Sequence, residues 1–422
     1  MYCGSCLRDN ALAATLLSRG HDVLLTPVYT PTRTDERNVS REQVFFGGIS
    51  VFLEQHSSIF RHTPRFLDRV WDSPWALRLA TKRQIKVDPH SLGEMTVSML
   101  RGEEGFQRKE IEKLMEWLVT EPRFDVVNLP YSLLLGLAEP IKRVLKVPVC
   151  CTLQGDDLFL DMLGEPWRQQ AMDLIRAAAV HVDAFMPVSQ YYMEYMPGYL
   201  GIPASKMRLV PLGINLTGYS ARAPKLGGPF TIGYLARIAP EKGLHVLCDA
   251  YRQLRTRPGV GPSRLIAAGY LPPEHQDYLD GITGRLREWG LESEFEYVGE
   301  VDRTRKIEFL QGLDVLSVPT TYKEPKGIFL LEAMAAGVPV VQPRRGAFPE
   351  IVGTTGGGLI VEPDSPDALA DGLLALWRDP ALAAALGAAG AVGVREHYGV
   401  ERMAEAAEAV YREVAGAPSA QR

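Results

Sequence analysis

Two glutamates in the segment VPTTYKEPKGIFLLEAMAAGVP, Glu324 and Glu332, are separated by seven residues. Gly327 stands between them, and the apolar run that begins near Ile328 predicts a helix, which the predicted strand VVQP follows. A loop carboxylate, a glycine that lets backbone approach a ligand and a carboxylate in the first helical turns form a ligand-binding edge. The free N–H groups and positive dipole of a helix N-terminus suit a phosphate.

Two cations stand upstream in the segment GYLARIAPEKGL. Arg237 follows a predicted strand, and Lys242 lies at the start of the next predicted helix. Two cations and a helix N-terminus can neutralise a diphosphate that leaves as a dianion. Surface Arg and Lys residues after strands are common, so the pair decides little alone. Together with Glu324 and Glu332, it indicates a phosphate-binding site.

The elements that position these residues alternate between helices and short apolar strands, a pattern typical of α/β proteins with parallel sheets. At 422 residues the chain exceeds what one core usually supports, which favours two domains. We therefore predict two doubly wound units in tandem, with ligands at the carboxyl ends of the strands. The predicted strands are 21–29, 124–130, 147–154, 184–189, 230–236, 263–270, 294–300, 315–319, 338–343 and 357–363.

The predicted boundaries follow changes in composition. An N-terminal domain covers 1–212, and a C-terminal domain covers 229–395. The linker between them, 213–228, is rich in Gly, Pro and Ser and has no periodicity. Residues 396–422 predict a C-terminal helix that frays at its end.

The N-terminal domain shows no first strand. Gly4 resembles the glycine loop that follows such a strand, and Gly20 suits the C-terminal cap of the first helix. The loss of a central strand would leave unpaired backbone groups on its neighbours. Either the true start lies upstream of Met1 or the domain has adapted to an open slot, and we favour the first.

Composition excludes several classes of protein. A net charge of −5 does not suggest nucleic acid as a partner, and no apolar run reaches the ~18 residues of a bilayer span. Five cysteines and no secretory signal favour a reducing cytoplasm. No second Cys or His pair completes a metal site with Cys3 and Cys6, so we interpret both as turn and helix residues.

Residues 40–108 interrupt the regular alternation. Between 61 and 86, seven Lys and Arg residues stand among aromatic side chains, against two aspartates. Such a basic, aromatic patch suits peripheral contact with an anionic membrane or with a phosphorylated acceptor. The favoured interpretation is an irregular insertion with solvated arginines.

Five segments in order resemble the retaining glycosyltransferases of family 4, and together they cover most of residues 1–363. The E-x7-E spacing of Glu324 and Glu332 and the R-x4-K spacing of Arg237 and Lys242 are the signatures. The resemblance implies the GT-B fold, two Rossmann-like doubly wound domains facing a cleft. It also implies that the C-terminal domain binds a nucleotide sugar and the N-terminal domain binds the acceptor.

The resemblance assigns a role to each residue. Arg237 and Lys242 would contact the diphosphate, Glu332 would accept hydrogen bonds from both ribose hydroxyls, and Glu324 would hold the transferred sugar together with the backbone from Gly327 to Phe329. The predicted catalytic residues are thus Arg237, Lys242 and Glu324. The residues expected to bind the nucleotide sugar are Glu332, Gly327, Ile328, Phe329, Gly299 and Gly4.

The sequence departs from the family pattern at several positions. Glu324-Pro325-Lys326-Gly327 replaces the usual Glu-Gly-Phe-Gly, which leaves the donor sugar open. On the acceptor side, Gln154 and Asn128 stand where many members have His, while Asp157 matches. Gln and Asn cannot titrate. In retaining transferases of this fold the leaving phosphate is thought to accept the acceptor proton, so these replacements are tolerable.

We therefore predict transfer of a sugar from a nucleotide-diphosphate sugar to a glycan, lipid or small-molecule acceptor, with retention and with no metal or other cofactor. Alternatives are a sugar-nucleotide epimerase or glycan phosphorylase of the same fold, and a non-catalytic nucleotide-sugar-binding protein. A nicotinamide oxidoreductase would need G-x-G-x-x-G after the first strand, and the sequence has none. The donor nucleotide, the acceptor and the oligomeric state stay open.

Overall fold

The computed structural model describes residues 4–29, 31–42, 44, 89–220 and 227–416. Within these residues the chain divides into two compact units. The N-terminal unit comprises Ser5–Val210 and the residues from Ala404 onward, and the C-terminal unit comprises Gly4 and Pro211–Met403. The basic and aromatic stretch at 61–86 lies outside the described residues, so its membrane contact stays a prediction.

The described part of the N-terminal unit contains a parallel sheet in the order β1-β2-β3. Its strands are β1 (Val127–Leu129), β2 (Val149–Leu153) and β3 (Ala184–Pro187). Every residue of β2 and β3 is buried. A central parallel strand is covered on both faces, which favours a mostly apolar run such as VCCTL in β2. The strands predicted near these three positions are confirmed.

Seven α-helices of the N-terminal unit lie within the described residues. In α3, the buried residues Ile111, Leu114 and Met115 recur at helical spacing and contact the core. The helices are α1 (Gly4–Ser18), α2 (Pro89–Leu100), α3 (Arg108–Thr120), α4 (Ala138–Leu145), α5 (Asp156–Met162), α6 (Trp167–Ala178) and α7 (Gln190–Leu200).

The first helix ends as the sequence predicts. Gly20 has a φ of +89°, and the N–H of His21 donates to the carbonyl of Leu16 at 3.1 Å. A left-handed glycine followed by this long backbone bond is a Schellman-type C-terminal cap. The cap turns the chain sharply out of α1.

The predicted strand at 21–29 is wrong. This segment forms irregular backbone and pairs with none of the described strands. Pro27 has no N–H to donate to a sheet, which disfavours a central strand. The carbonyl of Leu25 instead accepts a hydrogen bond from the N–H of Arg41 at 2.9 Å. The apolar side chains of Val28 and Tyr29 pack against the core of the N-terminal unit.

The C-terminal unit contains a six-stranded parallel sheet in the order β6-β5-β4-β7-β8-β9. This order is that of a doubly wound Rossmann sheet, in which the chain starts at the centre and builds outward on both sides. The order reverses between β4 and β7. The strands are β4 (Phe230–Leu235), β5 (Ser263–Ala268), β6 (Phe295–Tyr297), β7 (Val315–Leu316), β8 (Val340–Pro343) and β9 (Gly358–Val361).

Helices connect these strands, and α8 packs against α13. The α8 face that contacts the core contains Leu244, Leu247, Tyr251 and Leu254 at helical spacing. The helices are α8 (Leu244–Thr256), α9 (Gln276–Glu288), α10 (Arg303–Gln311), α11 (Ile328–Ala335), α12 (Phe348–Thr355), α13 (Pro366–Arg378), α14 (Pro380–His397) and α15 (Val400–Val414), which runs from this unit into the N-terminal one.

Side-chain caps fix the starts of several of these helices. Asp302 accepts a hydrogen bond from the N–H of Arg305 at 2.9 Å and caps α10. Ser365 and Asp379 cap α13 and α14 in the same way, at 3.1 and 2.9 Å. Each cap satisfies an N–H that has no partner inside the helix. Asp302 thus fixes the start of α10, a helix that contains the buried residue Lys306.

Candidate active site

The predicted catalytic residues lie at the point where the strand order reverses. Arg237 and Lys242 follow β4, and Glu324 follows β7, the neighbouring strand. In open α/β sheets, ligands bind outside the carboxyl ends of the strands at this position. The topology therefore brings three residues from distant parts of the sequence to one edge of the sheet.

Lys242 and Glu324 are in direct contact. The Lys242 Nζ lies 2.6 Å from Glu324 Oε2 and 2.5 Å from the hydroxyl oxygen of Tyr322, which itself donates a hydrogen bond to Glu324. The carboxylate is 3% exposed. The Nζ of Lys242 also lies 4.8 Å from the centroid of the Tyr322 ring. Sequence reasoning identified Lys242 and Glu324 but missed Tyr322.

The surroundings of Glu324 fix its protonation state. Burial alone would raise the pKa of this carboxyl, but the charges of Lys242 and Lys326 and the hydrogen bonds from Lys242 and Tyr322 lower it to about 2. Burial and the neighbouring carboxylate raise the pKa of the Tyr322 phenol well above its ordinary value. At neutral pH the site therefore contains a carboxylate and a neutral phenol that donates to it.

Two glycines let the loops approach closely enough for this contact. A Cβ at Gly243, whose φ is +76°, would lie 1.9 Å from the carbonyl oxygen of Pro319 in the loop after β7. A Cβ at Gly346, whose φ is +55°, would lie 2.2 Å from the carbonyl oxygen of Glu324. No larger residue fits without moving the backbone. Gly243 belongs to the predicted motif, whereas the importance of Gly346 was not visible in the sequence.

Arg237 lies at the same edge but has a different partner. Its guanidinium forms an ion pair with Glu241, four residues along the chain, and its side chain is 33% exposed. The Arg237 carbonyl accepts a hydrogen bond from the Tyr234 hydroxyl at 3.1 Å. The structure thus brings Lys242 together with Glu324, while Arg237 keeps a partly exposed charge beside them.

The predicted helix start is confirmed. Gly327 has left-handed backbone and precedes α11, whose first residues are Ile328 and Phe329. The Phe329 ring packs edge-on against Phe348, and its centroid lies 5.8 Å from the Lys242 Nζ. The first N–H groups of such a helix have no acceptor within it, and they are a source of positive potential.

Glu332 is the fifth residue of α11 and is buried among apolar neighbours. The Lys306 Nζ lies 2.6 Å from its Oε1 atom, and the Tyr219 hydroxyl donates to the same atom at 3.2 Å. The sequence placed Glu332 in a partnered position but did not identify either partner. Lys306 follows an ordinary pattern of charged residues in RTRKIEFLQ, so nothing in the sequence marks it.

The two remaining glycines of the predicted nucleotide site, Gly299 and Gly4, lie after a strand and at the start of a helix. Gly299 follows β6 with a φ of +80°, and its carbonyl accepts a hydrogen bond from the N–H of Gly269 at 2.9 Å. It therefore lies at the carboxyl edge of the C-terminal sheet. Gly4 is the first residue of α1. Their proposed contacts with a nucleotide stay predictions.

The predicted acceptor-side residues lie at the strand ends of the N-terminal unit. Asn128 Nδ2 donates to the hydroxyl of Thr152 at 3.0 Å, and Gln154 Nε2 donates to the carboxylate of Asp9 at 3.1 Å. Arg8 Nη1 lies 2.8 Å from the same carboxylate. Asn128, Thr152, Gln154, Asp9 and Arg8 thus form one polar cluster, which we call the N-terminal cluster.

Asp157 does not share the hydrogen bonds of that cluster. Its carboxyl accepts a hydrogen bond from the hydroxyl of Tyr192, a fully buried residue of α7. Burial raises the pKa of Asp157 above its ordinary value, although the bonds from Tyr192 and from the N–H of Leu158 oppose the rise. Gln154 and Asn128 are therefore grouped with Asp9 and Arg8, whereas Asp157 contacts the packed interior of the unit.

Sequence reasoning missed Arg8 and Asp9, although a signal was present. Arg8 stands in helical register with Leu12 and Leu16, both of which are buried in α1. A charge within an apolar stripe is almost never buried without a partner. Reading the period of α1 residue by residue would have identified Arg8 as a polar core position.

Two protein-family models match the chain and together span most of it. Residues 219–392 match the family Glycosyl transferases group 1, and residues 10–213 match the Glycosyl transferase 4-like domain. The chain therefore belongs to the group 1 glycosyltransferases and resembles family 4, as its motifs predicted.

The chain is similar to two proteins of Mycobacterium tuberculosis that are named as mannosyltransferases. Phosphatidyl-myo-inositol mannosyltransferase of Mycobacterium tuberculosis is 34% identical over 216 residues, which are 49% of this chain and 54% of that protein. The chain thus spans about half the length of this relative. The GDP-mannose-dependent alpha-(1-6)-phosphatidylinositol monomannoside mannosyltransferase of the same organism is 27% identical, with 66% of this chain and 74% of the relative covered.

Solved structures confirm the predicted fold class. Sucrose-phosphate synthase from Thermosynechococcus elongatus is similar with a TM-score of 0.63 at 22% identity, covering 73% of this chain and 78% of that one. At this identity the similarity defines the fold alone, which is GT-B. No helix among the described residues is long and apolar enough to cross a membrane.

Proposed function

We propose that the protein is a glycosyltransferase that moves a sugar from a nucleotide-diphosphate sugar to an acceptor hydroxyl, with retention of configuration and without a metal. The supporting observation is the contact between Lys242 and Glu324 at the point where the strand order reverses. It joins a cation suited to a phosphate and a carboxylate suited to sugar hydroxyls in one buried site.

The donor phosphates would be held by cations and by the end of a helix. A lysine has three N–H donors, and two of those on Lys242 reach Tyr322 and Glu324, which leaves one for a phosphate oxygen. The partly exposed Arg237 would exchange Glu241 for the diphosphate. The N-terminus of α11 adds positive potential where negative charge develops on the leaving group.

The carboxylates would bind the sugar and the ribose. Glu324 would accept hydrogen bonds from hydroxyls of the transferred sugar, and Glu332 from the ribose. Transfer breaks the bond between the anomeric carbon and the phosphate oxygen, and forms a bond from that carbon to the acceptor oxygen on the same face. The acceptor proton passes to the leaving diphosphate, so none of the side chains Gln154, Asn128 or Asp157 is needed as a base.

The names of the relatives suggest the first substrates to test. Both are named as mannosyltransferases of phosphatidylinositol lipids, and one as dependent on GDP-mannose. We therefore propose GDP-mannose and phosphatidylinositol as the first donor and acceptor, with UDP- and ADP-sugars and other acceptors as comparisons. The N-terminal cluster, with its amides, hydroxyl and charges, suits a hydroxylated acceptor.

The test measures nucleotide release and product mass for each donor and acceptor pair, with and without a chelator. We expect transfer with one donor, unchanged by the chelator, and an NMR coupling that shows the donor's anomeric configuration in the product. Binding of a nucleotide sugar without transfer would instead indicate a binding protein. A product of inverted configuration, or activity that needs added Mn²⁺, would contradict the mechanism.

Variants assign the roles. Glu324→Gln should reduce transfer by about 10²–10³-fold while keeping most nucleotide affinity, because it removes an interaction with the reacting sugar. Arg237→Ala and Lys242→Ala should each weaken nucleotide diphosphate binding by about 1.5–3 kcal/mol, and Glu332→Ala should also weaken it. Glu292→Gln, which loses a carboxylate paired with Arg287 at an exposed site, is the matched control. Unchanged calorimetric affinity in both cation variants would disprove the phosphate site.

A further inference from the structure

Glu332 is held from two directions. The Lys306 Nζ lies 2.6 Å from Oε1, and the Tyr219 hydroxyl donates to Oε1 at 3.2 Å. Both contacts use the same oxygen atom, and neither uses Oε2. A carboxylate has about four lone-pair positions on its two oxygens. Two partners on one oxygen restrict the rotation of the group, and no residue that the structure describes bonds to the other oxygen.

Lys306 belongs to α10 and is 7% exposed. Lysine is rarely buried unless its charge is paired, because desolvation of the ammonium is costly. Leu310, one helical turn further on, is fully buried on the same face of α10. Asp302 caps the start of α10, and Lys306 in the first turns of this helix reaches Glu332 of α11.

Tyr219 is fixed by the segment to which it belongs. The Arg303 guanidinium lies 5.4 Å from the centroid of its ring, and Arg395 Nη2 donates to its carbonyl at 3.0 Å. Arg303 Nη2 also donates to the carbonyls of Asn215 and Thr217, at 2.8 and 2.9 Å. Two arginines thus hold residues 215–219 in place, so the Tyr219 hydroxyl has little freedom to leave Glu332.

We propose that Lys306 and Tyr219 are positioning residues that orient Glu332, so that Oε2 is presented to the ribose hydroxyls of the nucleotide. The inference rests on the proposed function, because it requires a nucleotide at Glu332. Without Lys306, the carboxylate loses its charge partner and is freer to rotate. Without the Tyr219 hydroxyl, Oε1 keeps one partner and the group becomes freer to rotate. In both cases the protein loses its preference for a nucleotide with a complete ribose over a deoxy form.

A purely structural ion pair would behave differently. In that case, Lys306→Met would lower stability but leave the relative affinities for different nucleotides unchanged. The informative measurement is therefore the ratio of the dissociation constants of a 2′-deoxy or 3′-deoxy nucleoside diphosphate and its ribose form. General loss of affinity or partial unfolding moves both constants together and cancels in this ratio.

The experiment uses calorimetry on the full chain with GDP, UDP and ADP and the deoxy counterparts of whichever binds best. We expect the wild type to favour the ribose form by about tenfold or more, the size of one hydrogen bond to a charged group. The ratio should fall close to 1 in Lys306→Met and fall by a few-fold in Tyr219→Phe. Lys306→Arg should retain much of the preference, because it keeps a cation.

The control is Lys142→Met, which removes a lysine paired with Asp183 at 2.7 Å in the other unit and should leave the ratio unchanged. If Lys306→Met does not fold, Tyr219→Phe decides, since it removes a single hydroxyl. Wild-type preference that persists in Tyr219→Phe and in folded Lys306→Met would overturn this inference alone. Failure of the wild type to bind any of the three nucleotides would overturn the proposed function itself.

Discussion

The polar groups at the strand ends of the two units differ in how their buried charges are satisfied. In the C-terminal unit, Glu324 is paired with Lys242 and Glu332 with Lys306, each at 2.6 Å. In the N-terminal cluster, Arg8 is fully buried, yet its Nε and Nη2 atoms have no hydrogen bond to any residue that the structure describes. Among neutral buried groups the units do not differ, because Gln154 Oε1 in one unit and Ser317 Oγ and Gln342 Nε2 in the other all lack a described partner.

This difference indicates that the two sites are formed to different degrees before a ligand binds. Paired and hydrogen-bonded charges hold their geometry before a ligand arrives, which is what electrostatic stabilisation of a leaving group requires. Buried donors and acceptors without partners are costly, and in native proteins they are usually satisfied by water, an ion or a ligand. We infer that the C-terminal site is preformed, whereas the N-terminal cluster is completed by what binds there.

The largest expected effect is on stability when Lys242 is changed to Met. The substitution leaves Glu324 as a buried carboxylate without its cation, and removal of one partner of a buried ion pair typically costs about 3–5 kcal/mol. We expect a loss of that size in the free energy of unfolding, measured with urea at pH 7. Lys142→Met, at an ion pair whose side chains are 34% and 31% exposed, should cost less than about 1 kcal/mol. Equal losses in the two variants would remove the distinction between a preformed site and an ordinary surface pair.

Acid should weaken the ion pair between Lys242 and Glu324. The pKa of Glu324 is lowered in the folded state from an ordinary value of 4.5 to about 2. A lowered pKa stabilises the folded state fully above pH 4.5, and this contribution is lost as the pH falls towards 2. Its size is about 3 kcal/mol. The difference in unfolding free energy between wild type and Glu324→Gln should therefore shrink from pH 7 to pH 3.

The exposed Glu396→Gln variant is the control for this pH series, and its difference from wild type should stay small throughout. If the Glu324→Gln difference were constant with pH, the carboxylate would not be held ionised by Lys242 and Tyr322. The contrast between the two units would then lose its electrostatic basis.

A smaller effect is expected from the backbone that holds Glu324. Gly346→Ala places a Cβ 2.2 Å from the Glu324 carbonyl oxygen at a φ of +55°, so we expect about 1–3 kcal/mol of destabilisation and slower transfer. Gly281→Ala, in α9 with no atom within 4 Å of the added Cβ, is the matched control. It should stabilise by about 0.5–1 kcal/mol. Tolerance of alanine at Gly346 would show that the loop position is not tightly determined.

Residue patterns predicted much of the C-terminal unit. Buried parallel strands have short apolar runs, and the start of α11 follows from Gly327 and the run after it. Arg237, Lys242 and Glu324 were grouped because their two segments resemble signatures of the glycosyltransferase family. The sequence also placed them at strand ends, where the topology of a doubly wound sheet brings them together.

The failures have a common physical origin. Tyr322, Lys306, Tyr219 and Gly346 matter because of contacts across the fold, and single residues of these types occur everywhere in sequences. The strand expected at 21–29 was wrong because a short apolar run does not specify a pairing partner. Contacts between residues far apart in sequence need the fold to be known first.

The smallest effect is expected in the N-terminal cluster, and it is the sharpest test of the comparison. Arg8→Met replaces a fully buried guanidinium, with two nitrogen atoms lacking described partners, by an apolar side chain. Loss of one partner of an ion pair is costly mainly when the other charge stays buried without a partner. Asp9 is 19% exposed and can regain solvent when its partner is removed. We therefore expect the free energy of unfolding to change by less than about 1 kcal/mol, or to rise, while transfer to the acceptor falls.

Arg143→Met, at an exposed pair with Glu103, is the control and should change neither quantity. A loss of stability in Arg8→Met as large as in Lys242→Met would mean that the N-terminal cluster is as complete as the C-terminal site. The Arg8 nitrogen atoms without described partners would then not indicate an acceptor-binding site.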